Sequence, residues 1–182
     1  GQYITIEHTI GGESIRRSYS ISSSPKNGVE IGVKLVENGL MSTFLTRELK
    51  VDDILQVMPP TGNFILDVDS KNSNKYVGIC SGSGITPILS MITNVLNNEP
   101  LSSFELIYGN KSQSSVMFND EISSLLNRFP DRFILHSLFS RENIEGVIKG
   151  RIDEYSLKKI FDDNSSLLLS LIHISEPTRL SW

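Results

Sequence analysis

Apolar and polar residues alternate from the first positions of the chain. Tyr3, Ile4 and Ile6 stand against Thr5 and Glu7, so Gly1 to His8 reads as a strand already under way. Short β-rich runs follow at 14–22 and 29–36, with the strong turn signal Pro25-Lys26-Asn27-Gly28 between them. The stretch 42–49 changes to helical spacing, with Phe44, Leu45 and Leu49 apolar and Ser42 in the N-cap position. A strand at 54–58 comes next, and Pro59-Pro60-Thr61-Gly62 ends it. This part predicts a small antiparallel barrel with one short helix.

The polar stretch 67–75 reads as a linker, with domains expected at 1–68 and 76–168 and the connection at 69–75. The rhythm then becomes strand and helix in turn. Strands are predicted at 76–80, 104–108 and 133–138, and a further one begins near 167. Helices are predicted at 87–96, through Ile88, Leu89, Ile92, Val95 and Leu96, at 118–129, through Ile122, Leu125 and Leu126, and at 152–160. A β-α-β-α-β series predicts a doubly wound parallel sheet. The fold class is therefore an incomplete antiparallel β-barrel followed by an α/β domain.

Composition narrows the function. The 182 residues carry 17 basic and 21 acidic side chains and a formal charge of −4, so there is no basic footprint for nucleic acid. No apolar run reaches the ~18–20 residues of a membrane span. One cysteine, Cys80, and three scattered histidines, His8, His136 and His173, make neither a disulfide nor a zinc or iron–sulfur site, so no metal ligands are expected. A cytoplasmic protein is the default expectation. Cys80 reads as a small buried hydrophobe in preference to a reactive thiol.

Three segments carry candidate chemistry. Gly82-Ser83-Gly84-Ile85-Thr86-Pro87 follows a strand and opens a helix, where glycines admit a phosphate and helix-start N–H groups meet it. Pro87 replaces the third glycine of the common dinucleotide fingerprint, and Tyr108-Gly109-Asn110 stands where its acidic residue is expected, so that fingerprint is not met. A plain βα turn is the other reading. Arg17-Ser18-Tyr19-Ser20 lies on a strand, so Arg17 and Tyr19 share one face and Ser20 takes the other. An arginine fork holds a pyrophosphate and an aromatic ring packs on a planar cofactor; an exposed Arg beside a half-buried Tyr is the plainer alternative. Gly39-Leu40-Met41-Ser42-Thr43 enters the short helix, either as an anion site or as an ordinary serine cap.

Arg17 to Ser20, Gly39 to Thr43, Gly62-Asn63-Phe64, Gly82 to Pro87, Tyr108-Gly109-Asn110 and Ser140-Arg141 occur in that order. This succession resembles the ferredoxin–NADP reductase superfamily over nearly all of 1–168. Residues 2–6, 16–20, 108–110 with Met117-Phe118, and Gly150-Arg151-Ile152 look most like its subgroup of phenylacetyl-CoA epoxidase reductase components, which carry a C-terminal plant-type [2Fe–2S] domain.

The resemblance implies an FAD-dependent NAD(P)H oxidoreductase. Its electrons would pass to a [2Fe–2S] centre or ferredoxin-like acceptor serving an oxygenase. Arg17 would hold the FAD pyrophosphate with Ser18 beside it, Tyr19 would pack on the flavin ring, and Ser20 would lie near flavin N5, making Tyr19 and Ser20 the catalytic pair. Met41, Ser42 and Thr43 would supply donors to the pyrophosphate. Gly82, Gly84, Thr86, Pro87, Gly109 and Asn110 would line the nicotinamide-nucleotide site, and Ser140 and Arg141 would receive the 2′-phosphate of NADPH. NADH in its place stays open. So do a flavodoxin, haem or oxygen acceptor and a non-catalytic flavin- or nucleotide-binding module.

Departures from the family lie at both ends. Residues 169–179 resemble one translated frame of a transposase adaptor, and Leu180-Ser181-Trp182 would then be index sequence. A strand at 167–174 is the alternative. The family's Cys-Gly-Pro turn is absent there, and its first barrel strands are expected before Gly1. A fragment so cut is expected to bind flavin poorly or to aggregate.

Overall fold

Two glycines set the first hairpin. Strands β1 (Tyr3–Ile10) and β2 (Glu13–Ser20) are joined by Gly11 and Gly12 at φ +60° and +87°. A two-residue turn that follows the strand twist needs both central residues left-handed, which glycine adopts without a Cβ clash. The register runs from Tyr3 opposite Ser20 to Ile10 opposite Glu13. It puts Ile4, Ile6 and His8 on one face with Tyr19, Arg17 and Ile15, and Thr5, Glu7 and Thr9 on the other with Ser18, Arg16 and Ser14. The second face is laced by polar contacts. Thr5 Oγ1 and Ser18 Oγ lie 2.9 Å apart, and the Glu7 carboxylate accepts from Ser14 Oγ at 2.6 Å and Arg16 Nε at 2.9 Å.

The computed structural model describes residues 1–24 and 28–161. The expected turn at 25–28, the strand near 167, His173 and the tail at 169–182 fall wholly or mostly outside them. Contacts divide the chain into two units, one of residues 1–68 with 86–94, the other of 69–85 with the residues from 95 onward.

In the first unit β3 (Gln56–Val57) joins the free side of β1, giving the antiparallel order β2-β1-β3. Its core is Ile4, Ile6, Ile15 and Met41, with Tyr19, Phe44, Leu45 and Leu55 packed against it. The run at 29–36 forms no strand beyond one antiparallel bridge, Ile21 with Ile31. Ile31 packs on the core, but Val29, Leu35 and Val36 stay exposed, so little of the run is held in register. The strand expected at 54–58 shrinks to two residues for the same reason, with Ile54 93% exposed. Helix α1 (Leu40–Thr43) starts earlier than expected, at a Gly39 cap, and continues as a π-turn over Phe44–Glu48. Ser42 does not cap it. Its buried hydroxyl accepts from Val36 N at 3.1 Å and donates to Gly39 O at 3.0 Å, tying down the approach to the helix.

In the second unit β4 (Lys75–Ser81), β5 (Ser103–Asn110), β6 (Phe133–Phe139) and β7 (Ile148–Lys149) pair in parallel in that order. Leu106, Ile107 and Tyr108 of the interior strand β5 are buried on both faces, as parallel strands are. Helix α2 (Ile85–Asn98), whose residues 86–94 are counted with the first unit, follows β4, α3 (Asn119–Arg128) precedes β6, and α4 (Glu154–Phe161) follows β7. Leu157, Ile160 and Phe161 of α4 cover one sheet face, against Val77, Ile79, Ile107, Leu138 and Ile148. Asp153 and Ser156 exchange hydrogen bonds at 2.9 and 2.8 Å, a capping box that starts α4 two residues later than the periodicity predicts. At the amino ends of the strands, buried Glu99 accepts from Asp69 N, Asn72 Nδ2 and Tyr76 OH through Oε1, which fastens residues 69–76. Among the described residues, no helix is long and apolar enough to cross a membrane.

Candidate functional site

The two adjacent arginines of β2 have different fates. Arg16 faces the polar side and pairs with Glu7 at 2.9 Å. Arg17 faces the side of Ile4, Ile6 and Tyr19, opposite Ile6. Its guanidinium is exposed, donates to the Arg16 carbonyl at 2.7 Å, and meets no carboxylate among the described residues. Tyr19 is half-buried against the core, and burial pushes its phenol pKa up while the Arg17 charge pulls it back. Ser18 and Ser20 point to the other face, so the strand brings Arg17 and Tyr19 together and turns Ser20 away from them. Met41 packs into the same core as Tyr19, which sets α1 beside this face. The Ser42 hydroxyl is already engaged, leaving backbone N–H groups at 40–42 as the donors there; Thr43 donates its own N–H to Gly39 O at 2.9 Å. An exposed guanidinium without a carboxylate partner among the described residues, a half-buried aromatic ring and a short helix on one face suit a dinucleotide flavin: a charge for the pyrophosphate and a ring for the planar head.

In the second unit the glycine turn does what its spacing predicts. Gly82 to Gly84 make a single 3₁₀ turn that opens α2. Gly82 has φ +53°, and nothing lies within 4 Å of where its Cβ would be, so a ligand can approach the backbone. Thr86 and Pro87 are buried within the first turn of α2, where a proline lacks no needed N–H. The Tyr108 hydroxyl donates to Gly82 O at 2.9 Å and accepts from Met117 N at 3.2 Å. Burial pushes its pKa up to about 12, against the pull of the Met117 N–H. Met117 leads into Phe118, which caps α3 in the left-handed region at φ +59°.

Gly109 and Asn110 close β5. A Cβ on Gly109 would meet Ile152 Cγ1 and Cδ1 at 3.1 Å, so a larger residue there requires the Ile152 side chain to give by a few tenths of an ångström. Asn110 is 8% exposed, and its side chain reaches the Tyr108 hydroxyl, whose pKa it draws down. Ser140 N donates to Asn110 O at 3.0 Å and Arg141 N to Lys111 O at 2.9 Å, which sets Ser140 and Arg141 beside the end of β5. Arg141 is exposed. Cys80 is buried, and burial pushes its thiol up to about 12, so it is inert packing. Among the described residues, no group of three His, Cys, Asp or Glu could hold a metal.

Sequence reasoning used Tyr108 and Ile152 for the resemblance but gave neither the phenol hydroxyl nor the isoleucine a role in the site. The first was visible as a phenol that follows Phe104 and Leu106 on one strand face. The second shows only in three dimensions. An open backbone at Gly82 with a buried amide at the end of the next strand suits a nicotinamide nucleotide.

The matches to known families follow these two halves. Residues 1–65 match the oxidoreductase FAD-binding domain, and residues 79–172, just over half of the chain, match the oxidoreductase NAD-binding domain. The chain belongs to the FAD- and NAD-binding oxidoreductases. It is 36% identical over 162 residues to a 1,2-phenylacetyl-CoA epoxidase subunit from Escherichia coli strain K12, covering 88% of this chain and 46% of the relative. It is 36% identical over 146 residues to a flavohemoprotein of Candida albicans, covering 79% of this chain and 36% of that one. The chain thus spans less than half the length of these relatives. Its fold matches the crystal structure of the Amycolatopsis cytochrome P450 reductase GcoB with a TM-score of 0.75 at 20% identity, over 91% of this chain and 49% of that one.

Proposed function

We propose that the chain is the flavin- and nicotinamide-binding part of a reductase. It takes electrons from NAD(P)H and passes them singly to an iron–sulfur centre or ferredoxin-like acceptor that serves an oxygenase. The observation that carries this reading is the match of one chain, in order, to an FAD-binding and an NAD-binding oxidoreductase domain, with an epoxidase component at 36% identity. Bound FAD supplies the step from two-electron to one-electron chemistry. The chain's own residues bind and orient. Arg17 neutralises the FAD pyrophosphate, with Ser18 next to it on the strand, and is helped by backbone donors at Met41 and Ser42 and by the Thr43 hydroxyl. Tyr19 backs the flavin ring and excludes water from it, and Ser20, whose side chain takes the other strand face, would reach the flavin N5 through its backbone. Gly82, Gly84, Thr86, Pro87, Gly109 and Asn110 take the nicotinamide nucleotide, and Ser140 and Arg141 take a 2′-phosphate when the donor is NADPH. A cytoplasmic location suits a chain whose one cysteine needs no oxidising compartment.

The test is anaerobic mixing of the FAD-loaded protein with NADPH or NADH. Loss of the flavin's visible absorbance is expected. Tight FAD binding with no loss for either donor overturns the reading in favour of a binding module. A haem acceptor is the second reading, favoured by the flavohemoprotein relative. Reduction of a ferredoxin but not of a haem protein by the same preparation decides against it.

A further inference from the structure

We propose that His8 is a positioning residue for the flavin: stacked on Phe44, it holds the turn after α1 beside Arg17, and protonation of its ring tightens the grip on FAD. The inference rests on the flavin-binding reading above and adds a pH control to it.

The His8 and Phe44 rings lie face to face, with centroids 3.8 Å apart and planes 10° from parallel. His8 is a half-buried residue of β1, and Phe44 opens the π-turn that continues α1. Turns of this kind hold more residues than an α-helical turn and recur at functional sites. Here the Phe44 carbonyl accepts from Leu49 N at 3.0 Å, and Thr46 Oγ1 donates to Ser42 O at 2.7 Å, which pins the π-turn to α1. Phe44 also packs on the core of Ile4, Ile6, Ile15 and Met41. The stack therefore ties α1 and its π-turn to the strand pair that carries Arg17 and Tyr19.

The register puts His8 opposite Ile15 and Arg17 opposite Ile6. The two share a face as diagonal neighbours, about 7–8 Å apart in such a ladder. Histidine changes charge between pH 5 and 8. An imidazolium over a phenyl face gains a cation–π attraction that the neutral ring lacks, so protonation tightens the stack. It also adds a second positive charge to the face on which Arg17 meets the pyrophosphate, and a bound dianion relieves the repulsion between the two. Proton and FAD thus favour each other's binding, and the coupling is reciprocal.

Few other charges bear on this ring. On β2, Glu13 and Arg17 share its face, on either side of Ile15. On the π-turn, Arg47 and Glu48 are exposed. The turn ahead of β3 carries Lys50, Asp52 and Asp53, all exposed, and Asp53 accepts from the Lys50 N–H at 2.7 Å. β3 itself, Gln56 and Val57, brings none. Glu7 and Arg16 lie on the opposite face and pair with each other. Among the described residues, no ion pair includes His8.

The experiment measures the FAD dissociation constant of the full chain at pH 8 and pH 6 by flavin fluorescence, in wild type, His8→Phe and His8→Ala. Melting temperatures monitor folding. Wild type is expected to bind FAD about three- to tenfold more tightly at pH 6. His8→Phe keeps a stacking ring without the proton, so it should match wild type at pH 8 and stay flat to pH 6. His8→Ala should bind several-fold more weakly at pH 8, because the π-turn loses its support. The Gly1 amine, whose pKa burial lowers from 8.0, and His136 are common to all three, so the difference between wild type and His8→Phe isolates His8. A wild type without a pH slope, a folded His8→Phe with the wild-type slope, or a folded His8→Ala that equals wild type at pH 8 overturns the inference and leaves the flavin reading standing. Wild type that binds no FAD at either pH overturns both.

Discussion

The hydroxyl of Tyr108 donates to the carbonyl of Gly82 across 2.9 Å. That bond links the middle of the sheet to the turn from which α2 starts, and the same oxygen accepts from Met117 N ahead of α3. Tyr108→Phe keeps the ring and removes both bonds. A loss of about 1–2 kcal/mol is expected, since two part-buried backbone groups lose their partner. The Michaelis constant for NAD(P)H should rise several-fold with little change in turnover, because the turn loosens and the flavin half is untouched. Steady-state kinetics with an artificial acceptor, beside a denaturant melt, would show it; an unchanged Michaelis constant would remove Tyr108 from the site.

Arg16 and Arg17 are neighbours with opposite duties. Arg17→Ala should release FAD on gel filtration. Arg16→Ala should retain it, because that side chain is spent on Glu7 across the polar face. Equal flavin content in the two variants would deny Arg17 its pyrophosphate role.

Gly109→Ala drives a methyl group against Ile152 at 3.1 Å. Overpacking of this kind costs about 1–3 kcal/mol. The penalty should shrink when Ile152→Ala is made in the same chain, and a double-mutant cycle of melts measures the difference. Additive losses would place the strain elsewhere.

Glu99 carries an acid dependence. Burial pushes its carboxyl pKa up, but hydrogen bonds from Ser102, Asn72, the Asp69 N–H and Tyr76 outweigh this and hold it below the usual 4.5. The folded protein therefore binds fewer protons than the unfolded chain between the two values. Its contribution is complete above pH 4.5 and drains away as pH falls toward the folded value. Melting temperatures from pH 7 to pH 4 should decline less in Glu99→Gln than in wild type. Parallel curves would show that the carboxylate contributes nothing of this kind.

Cys80, with its thiol pushed up to about 12, should not react with a thiol-specific chromogenic reagent at pH 8 until denaturant is added. Prompt reaction in the native protein would contradict its burial.

Much of this was legible in the chain. The parallel strands were found because their apolar runs are bounded by turns and helices, and Gly82 to Gly84 announced a turn by composition alone. Arg17 and Tyr19 fell together because a strand repeats every two residues. Failures came where tertiary packing overrides local pattern. The run at 29–36 looks like a strand, yet Val29 and Val36 find nothing to pack on. Ser42 looks like a cap, yet its hydroxyl turns inward to Val36 and Gly39. Gly11 and Gly12 carried a hairpin signal that was passed over, and β7, at two residues, is too short for any periodicity to reveal.

The hairpin at Gly11 and Gly12 also sets an order of events. Its eight pairs close from a two-residue turn, whereas the first pairs of the parallel sheet join positions 75 with 103 and 104 with 133. Hairpins form in ~1–10 μs, and closing a longer loop forfeits more chain entropy. In a refolding chain Arg17 and Tyr19 therefore come side by side before Gly82 has a strand to follow. A lone hairpin is marginal in water. Ile4, Ile6 and Ile15 wait for Met41 and Phe44 to cover them, so that short helix governs how long the early face stands open to association with other chains.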